Sequence, residues 1–243
     1  MARAMANFLS FDIEIANVFT LRPGEDLDRY APFDVSVAAV AHENGTVRHW
    51  HATDARGKPT GTLDARLARE VLEYLREAQL GGTRVFAWNG LSFDLRWLAH
   101  AAHDKALARE VAMELYDPMF QFATMRGFPI GLAAVADGLG IAQKKLMSAD
   151  QAPVEWSRGN HQVVLDYVAG DCTLTNRVVA AIEFERCVRW RTKRGDVKTE
   201  PMRVLRQVKD VMQDPAPDQS WMSEPRAPSA YWAWLRDERA AST

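Results

Sequence analysis

Hydrophobic residues near the start of the chain form three strand-like runs separated by polar segments. The runs cover 7–15, 33–41 and 46–52. The last two are joined through Glu43-Asn44-Gly45, and an Asn-Gly pair between two apolar runs is a strong hairpin signal. The pattern therefore predicts a meander of three strands.

Apolar positions then change to helical spacing. Leu63, Leu67, Val71, Leu72 and Leu75 recur at intervals of three and four residues, which predicts an amphipathic helix. A buried strand follows over 84–88, and helices over 92–102, 132–139 and 161–185 with a strand-like 114–117 complete the order. Strands that come first as a meander and then alternate with helices predict an α/β protein with a mixed central sheet flanked by helices.

A basic hairpin and a proline-rich tail follow the long helix. Val188-Arg-Trp-Arg and Asp196-Val-Lys-Thr flank Lys193-Arg-Gly195, which indicates a hairpin. The tail contains several prolines and then Tyr231-Trp-Ala-Trp-Leu235, which is typical of an extended linker with an aromatic end. We expect a main domain over 1–186, a basic hairpin and helix extension over 187–212, and a Pro-rich linker with an aromatic tail over 213–243.

Composition restricts the class of protein. Of the 243 residues, 47% are hydrophobic and 26% charged, and no run approaches the ~18 apolar residues of a membrane span. The first residues turn polar before an apolar signal-peptide region develops, so we expect a cytoplasmic protein that does not bind membranes. Two cysteines, Cys172 and Cys187, neither build a disulfide framework nor supply a zinc site, and we expect both to be reduced.

Positive charge is concentrated near the predicted hairpin, although the net charge of the chain is −2. Between residues 186 and 209, two acids stand against nine basic residues: Arg186, Arg189, Arg191, Lys193, Arg194, Lys198, Arg203, Arg206 and Lys209. Such a stripe either follows a phosphate backbone or is a solvated surface. Lys144 and Lys145 present the same two alternatives.

Acidic residues in three segments of the chain suggest a cation site. Asp12 and Glu14 stand two apart on a hydrophobic strand and so point to the same side of the sheet, although a solvent-facing edge also explains such a pair. Asp94 follows a strand end at Asn89-Gly90, where it either contributes to a site or stabilises a helix N-terminus. Tyr167 and Asp171 are four residues apart and therefore share one helix face.

These three segments resemble the DEDD superfamily of 3′-5′ exonucleases, in the branch with Tyr-x-x-x-Asp in the third motif. The family's three motifs correspond, in order, to Asp12-Ile-Glu14, Asn89-x-x-x-Phe93-Asp94 and Tyr167-x-x-x-Asp171. The intervening Tyr116-Asp-Pro-Met also resembles predicted exonucleases related to the proofreading domain of family B DNA polymerases. The resemblance covers about residues 7–186 and implies a ribonuclease H-like fold.

The resemblance also implies a mechanism, the hydrolysis of phosphodiester bonds with two divalent cations, Mg²⁺ or Mn²⁺. Asp12 would bridge both metals, Glu14 and Asp171 would hold the metal on the nucleophile side, and Asp94 would bind the other. Tyr167 would orient the attacking water. Carboxylates suit this role because hard cations favour oxygen ligands.

Several further positions extend this hypothesis to the substrate. Ile15 stands where many relatives have a threonine that meets the terminal nucleotide, which leaves its backbone amide for that role. Asn89 and Phe93 belong to the second motif, and Gly170 beside Asp171 suggests close backbone approach. Trp190, with Arg191, Lys193 and Arg194 of the hairpin, would supply stacking and phosphate contacts.

The third motif allows a second interpretation, because His161-x-x-x-x-Asp166 matches the branch of the family that contains His. Residues 166 and 171 point about 140° apart on one helix at ~3.6 residues per turn, so one of them completes the site. The continuation Asp171-Cys-Thr-Leu-Thr resembles the Tyr branch, and we choose Asp171.

The sequence therefore predicts an exonuclease that acts on nucleic acid, with DNA in single strands or frayed 3′ ends as the expected substrate and nucleoside 5′-monophosphates as products. An RNA-trimming exoribonuclease on the same scaffold is one rival, because no readable feature reports on the 2′-hydroxyl. A catalytically silent nucleic-acid-binding accessory subunit is another rival, against which the presence of all four acids and the tyrosine argues.

Overall fold

The computed structural model describes residues 7–20, 22, 25–142 and 147–236, and it is built around a mixed four-stranded sheet with the order β3-β2-β1-β4. The strands are β1 (Phe8–Ile15), β2 (Val35–His42), β3 (Val47–His51) and β4 (Arg84–Phe86). β2 runs antiparallel to both β1 and β3, and β4 runs parallel to β1. The predicted α/β class with a mixed sheet is confirmed.

Helices cover both faces of the sheet. They are α1 (Ala65–Leu80), α2 (Asp94–Ala102), α3 (Lys105–Glu114), α4 (Pro118–Arg126), α5 (Leu132–Gly138), α6 (Ala152–Ser157) and α7 (His161–Glu185). Three of them begin at an aspartate, Asp64, Asp104 or Asp117, whose side chain accepts a backbone N–H two or three residues into the helix. Such caps satisfy donors that would otherwise lack partners at a helix start.

Alternation along β1 assigns its residues to two different faces. Phe11 and Ile13 enter a core formed with α1, α2 and α3, whereas α6 and α7 pack on the opposite face against Val37 and Ala39 of β2. Successive strand residues point to opposite sides, so the even-numbered residues of β1 face α7. The same periodicity that builds the core therefore directs Asp12 and Glu14 towards α7.

The prediction of a strand at 114–117 is wrong. Glu114 ends helix α3, and Tyr116 forms only isolated bridges, parallel to Phe86 and antiparallel to Gln207. Apolar residues at helical spacing extend α3 up to Glu114, and Pro118 at once begins α4. The extended segment between these helices is too short to form a strand.

The basic hairpin is present and packs against the body of the protein. Its strands are β5 (Cys187–Arg191) and β6 (Val197–Pro201), and the short helix α8 (Val208–Val211) follows. A Cβ added to Gly138 in α5 would lie 2.5 Å from the Cα of Trp190, so glycine is required for this close approach. The division into three segments stays a prediction.

The aromatic end of the tail folds onto the core. Residues Pro228–Tyr231 and Ala233–Leu235 form two short 3-10 turns, and Tyr231 and Leu235 are buried in the core beside α1, α2 and α3. Burial of large apolar side chains outweighs the extended preference of the preceding prolines. Within the described ranges, no helix is long and apolar enough to cross a membrane, and Cys172 and Cys187 are both free thiols.

Candidate metal centre

Three carboxylates from two elements meet on the α7 face of the sheet. Asp12 and Glu14 come from β1, and Asp171 comes from α7. One carboxylate oxygen of each residue lies within 4.8 Å of the others, close enough for a single cation to contact all three. The structure therefore brings together a cluster that can hold a metal ion.

Helix α7 is held against the strands directly behind this cluster. Cys172, the residue after Asp171, is fully buried, and its thiol donates a hydrogen bond of 3.4 Å to the backbone oxygen of Ala39 in β2. Burial raises the pKa of the Cys172 thiol, and the nearby carboxylates of Asp12 and Asp171 raise it further. Cys172 is consequently a neutral packing residue.

Asp94 lies beside the cluster at the first position of α2. Its Oδ1 accepts a hydrogen bond of 3.0 Å from the backbone N–H of Ile13, and its negative charge is close enough to Asp12 to raise the pKa of that carboxyl. The side chain is 3% exposed. Asp94 is therefore joined to the cluster through Asp12, and all four acids predicted from the sequence occupy one region.

Crowding in this region favours protonated acids when no cation is present. Burial raises the pKa of Asp12 and of Glu14 well above their usual range, and the charges of neighbouring carboxylates raise both further. Burial also raises the pKa of Asp94, to about 7, against the opposing effect of the hydrogen bond from Ile13. Burial raises the pKa of Asp171 as well, and its hydrogen bond from Tyr167 partly opposes this.

No lysine or arginine in the described ranges forms an ion pair with any of these four acids. Buried carboxylates without a basic partner are costly to ionise unless a metal ion compensates their charge. The electrostatics of the cluster thus fit a bound cation.

Tyr167 and Asp171 share one face of α7, as their spacing predicts. Burial raises the pKa of the Tyr167 hydroxyl, and the nearby charge of Asp171 raises it further. The alternative pair lies elsewhere. Asp166 is exposed and accepts a hydrogen bond of 2.8 Å from Gln162, whereas the ring of His161 packs edge-on to Trp156 at 4.5 Å.

The turn before α2 is held by Asp117, a carboxylate that lies outside the three motifs. Asp117 is 2% exposed, and it accepts backbone N–H groups from Asn89 at 3.1 Å, Leu91 at 3.0 Å and Phe120 at 3.0 Å. Burial raises the pKa of Asp117 to about 6, and these hydrogen bonds oppose the shift. Asp-Pro at 117–118 signals a helix start, and the sequence carries no mark of the contacts to residues 89 and 91.

Some of the residues predicted to contact substrate near the acids instead make contacts within the protein. Ile15 is buried in the core, so its side chain faces away from the acids. Asn89 has a left-handed backbone with φ 71° and accepts a hydrogen bond from Ser92, while Phe93 packs against Phe33. Nothing in the described chain lies within 4 Å of where a Cβ on Gly170 would stand, so packing within the protein does not require glycine there.

The hairpin residues differ in how free their side chains are. Trp190 is half-buried and packs edge-on to Phe122 at 5.1 Å, and Arg191 forms an ion pair of 2.6 Å with Asp137. Lys193 and Arg194 are exposed and form no ion pair with the described residues. Lys144 and Lys145 lie outside the described residues. Among the four hairpin residues, Lys193 and Arg194 therefore have the freest side chains.

Comparison with known proteins finds similarity among solved structures. No family model and no curated protein matches the chain. Among solved structures, it is similar to the family B DNA polymerase from the hyperthermophilic archaeon Pyrobaculum calidifontis, with 17% sequence identity and a TM-score of 0.47 over 72% of this chain and 25% of that chain. The chain thus spans about a quarter of the length of that polymerase.

Proposed function

We propose that the chain is a metal-dependent 3′-5′ exonuclease with a ribonuclease H-like fold. The observation that carries the proposal is the meeting of Asp12, Glu14 and Asp171 within 4.8 Å, with Asp94 close enough to Asp12 to raise the pKa of its carboxyl. These are the four acids of the three motifs that resemble the DEDD exonucleases. The mixed sheet flanked by helices accords with the fold that this resemblance implies.

Mg²⁺ or Mn²⁺ fits the donor set. Every candidate ligand is a carboxylate oxygen, which hard divalent cations prefer, and the cluster contains neither histidine nor a thiol ligand. Asp12, Glu14 and Asp171 would hold one cation, and Asp94 with Asp12 would hold a second. When bound, the cations supply an activated water and stabilise the departing 3′-oxygen of the scissile phosphodiester.

We assign to Tyr167 the role of orienting the attacking water. Its hydroxyl is within hydrogen-bonding reach of Asp171, and burial holds it protonated at neutral pH. A protonated hydroxyl at the edge of the cluster donates one hydrogen bond and accepts another, so it orients a water molecule without removing its proton. Tyr167 accordingly contributes to the rate of hydrolysis more than to substrate affinity.

The proposed substrate is DNA with an accessible 3′ end, and the products are nucleoside 5′-monophosphates. Lys193 and Arg194 offer unpaired positive charge for the backbone upstream of the 3′ end. Trp190, Arg191, Ile15, Asn89 and Phe93 remain proposed substrate contacts. RNA is the alternative substrate on the same scaffold.

Digestion of matched DNA and RNA oligonucleotides labelled at the 5′ or the 3′ end tests the proposal. With Mg²⁺ or Mn²⁺, we expect 3′ label to be released at once as mononucleotide and 5′ label to remain on a descending ladder. Excess chelator, Asp12→Asn and Asp171→Asn should each abolish the ladder. Asp166→Asn is the matched control, because it alters an exposed carboxylate on the same helix.

The other outcomes separate the rivals. Binding of oligonucleotides without any metal-dependent cleavage would identify an accessory binding subunit and contradict the enzyme. Faster digestion of RNA than of DNA would identify RNA as the substrate and leave the proposed 3′-5′ exonuclease reaction unchanged. Full activity in chelator, or in either mutant of the cluster, would reject the metal centre.

A further inference from the structure

The C-terminal aromatic segment, residues 228–236, reaches the turn that carries Asp94. Tyr231 and Leu235 anchor the segment, since both are 3% exposed and belong to the core beside α1, α2 and α3. The ring of Tyr231 packs against Phe120 in α4 at 5.9 Å, and the backbone oxygen of Arg236 accepts a hydrogen bond of 2.5 Å from Lys105. The segment is therefore fixed at both of its ends.

Between these anchors, Trp234 contacts the turn directly. Its indole Nε1–H donates a hydrogen bond of 2.7 Å to the backbone oxygen of Leu91. The backbone N–H of Leu91 donates to Asp117 Oδ2 at 3.0 Å. Both backbone polar groups of Leu91 are consequently held by side chains, one from the start of α4 and one from the C-terminal segment.

The conformation of this turn sets the place of Asp94. Asn89 adopts a left-handed backbone, and a Cβ on Gly90 would lie 2.3 Å from the Cβ of Ala87, so the turn has little freedom. The backbone oxygens of Asn89 and Gly90 accept the first hydrogen bonds of the helix, from Phe93 and Leu95. A shift at Leu91 is therefore passed on to Asp94, three residues later.

We propose that Trp234 is a positioning residue for Asp94, so that the C-terminal segment is a working part of the metal centre. This inference rests on the proposed function, because it concerns the acid that would hold the second cation. The hydrogen bond reaches Leu91 at its backbone oxygen. Trp234 thus acts through hydrogen bonding to one carbonyl, 143 positions away in the chain.

The variant Trp234→Phe isolates this role. Phenylalanine keeps an aromatic ring in the same partly buried place and removes the N–H donor. Trp232→Phe is the matched control, since Trp232 packs against the same core from the same segment and shows no indole hydrogen bond within the described ranges. We measure Mn²⁺ binding by electron paramagnetic resonance and calorimetry, and kcat and KM on single-stranded DNA.

For Trp234→Phe we expect Mn²⁺ affinity at the weaker of two sites to fall about ten-fold, as is typical when a residue that orients a metal ligand is removed. We also expect kcat to fall with KM nearly unchanged, and Trp232→Phe to match the wild type in both. Unchanged Mn²⁺ affinity in Trp234→Phe, or an equal loss in Trp232→Phe, overturns the inference while leaving the proposed function intact. A wild-type chain that binds no Mn²⁺ rejects the proposed function, and the positioning role with it.

A second measurement serves if Trp234→Phe does not fold. In the wild type, Mg²⁺ titration followed by NMR of the indole N–H groups should shift the Trp234 resonance and slow its exchange with solvent. The Trp221 indole is the internal reference. Its N–H donates to the backbone oxygen of Asp218, and its exposed ring lies edge-on to Phe128. A Trp234 resonance that responds no more than that of Trp221 overturns the inference.

Discussion

The hydroxyl of Ser10 in β1 donates a buried hydrogen bond of 2.7 Å to Oδ1 of Asn176 in α7. The Asn176 amide donates in turn to the backbone oxygen of Ala41 in β2, at 2.8 Å. Ser10 lies two residues before Asp12, and Asn176 five after Asp171, so this bridge joins the two elements that supply the carboxylate cluster. An apolar interface tolerates sliding between helix and sheet, whereas a directional hydrogen bond sets one register.

Removal of the bridge should lower both stability and metal affinity. Asn176→Ala leaves the Ser10 hydroxyl buried without its acceptor and removes the bond to Ala41, so we expect a loss of about 1–3 kcal/mol. Ser10→Ala should cost less, about 1 kcal/mol. Urea denaturation of both single mutants and the double mutant checks this, and strictly additive losses would show that the two residues do not act together.

The stability of the metal-free protein should fall as pH rises. Asp94 has a folded pKa of about 7 and Asp117 of about 6, above the value of 3.8 expected when unfolded. The folded state therefore binds more protons between about pH 4 and pH 7, and its free energy of unfolding decreases through that window. Thermal melts in chelator at several pH values measure this. A melting temperature that rises steadily across the same window would contradict the direction.

Added Mn²⁺ should reverse that trend. Cations bind the ionised carboxylates, so the rise in melting temperature caused by excess Mn²⁺ should be larger at pH 8 than at pH 5. Asp12→Asn provides the control, because it relieves repulsion in the cluster and removes a ligand. Its melting temperature in chelator should equal or exceed that of the wild type, and its response to Mn²⁺ should be small. An undiminished response would place the cation elsewhere.

Tyr167→Phe should separate the two interpretations of the third motif. Loss of the hydroxyl next to Asp171 should lower the single-turnover rate about 100-fold, as is typical when a reacting group is no longer held in position, with little change in binding. His161→Ala and Asp166→Asn should stay near the wild-type rate, because Asp166 is exposed and His161 packs on Trp156. A severe loss in His161→Ala with a mild effect in Tyr167→Phe would reverse the assignment.

Removal of the two unpaired hairpin charges should weaken binding to long single strands. The double mutant Lys193→Ala/Arg194→Ala should flatten the dependence of log K on log salt by about 0.7 for each phosphate that the hairpin no longer neutralises. Arg191→Ala should have a smaller effect, because Arg191 is paired with Asp137. The matched control is Arg56→Ala/Arg109→Ala, two exposed arginines outside the hairpin that form no ion pair with the described residues. Equal slopes in the two double mutants would exclude the hairpin from the binding surface.

Local periodicity accounts for the parts of the site that could be predicted from the sequence. Alternation along β1 places Asp12 and Glu14 on one face, and a spacing of four on a helix places Tyr167 beside Asp171. Both relationships depend only on the geometry of a single element. The prediction of a strand at 114–117 was wrong for the same reason. Only three residues lie between the two helices, and so short a segment has no periodicity to detect.

The sequence by itself determined the α/β class, the hairpin and the identity of the four acids, since these follow from short-range patterns and from residue chemistry. Only the tertiary structure decided which residues hold those acids in place. Asp117 reaches the Asn89 turn across 28 positions, and Trp234 reaches Leu91 across 143. Both bind backbone groups, which every residue possesses, so no side-chain pattern at residues 89–91 marks them as partners. Packing of the whole chain brings each donor to its acceptor.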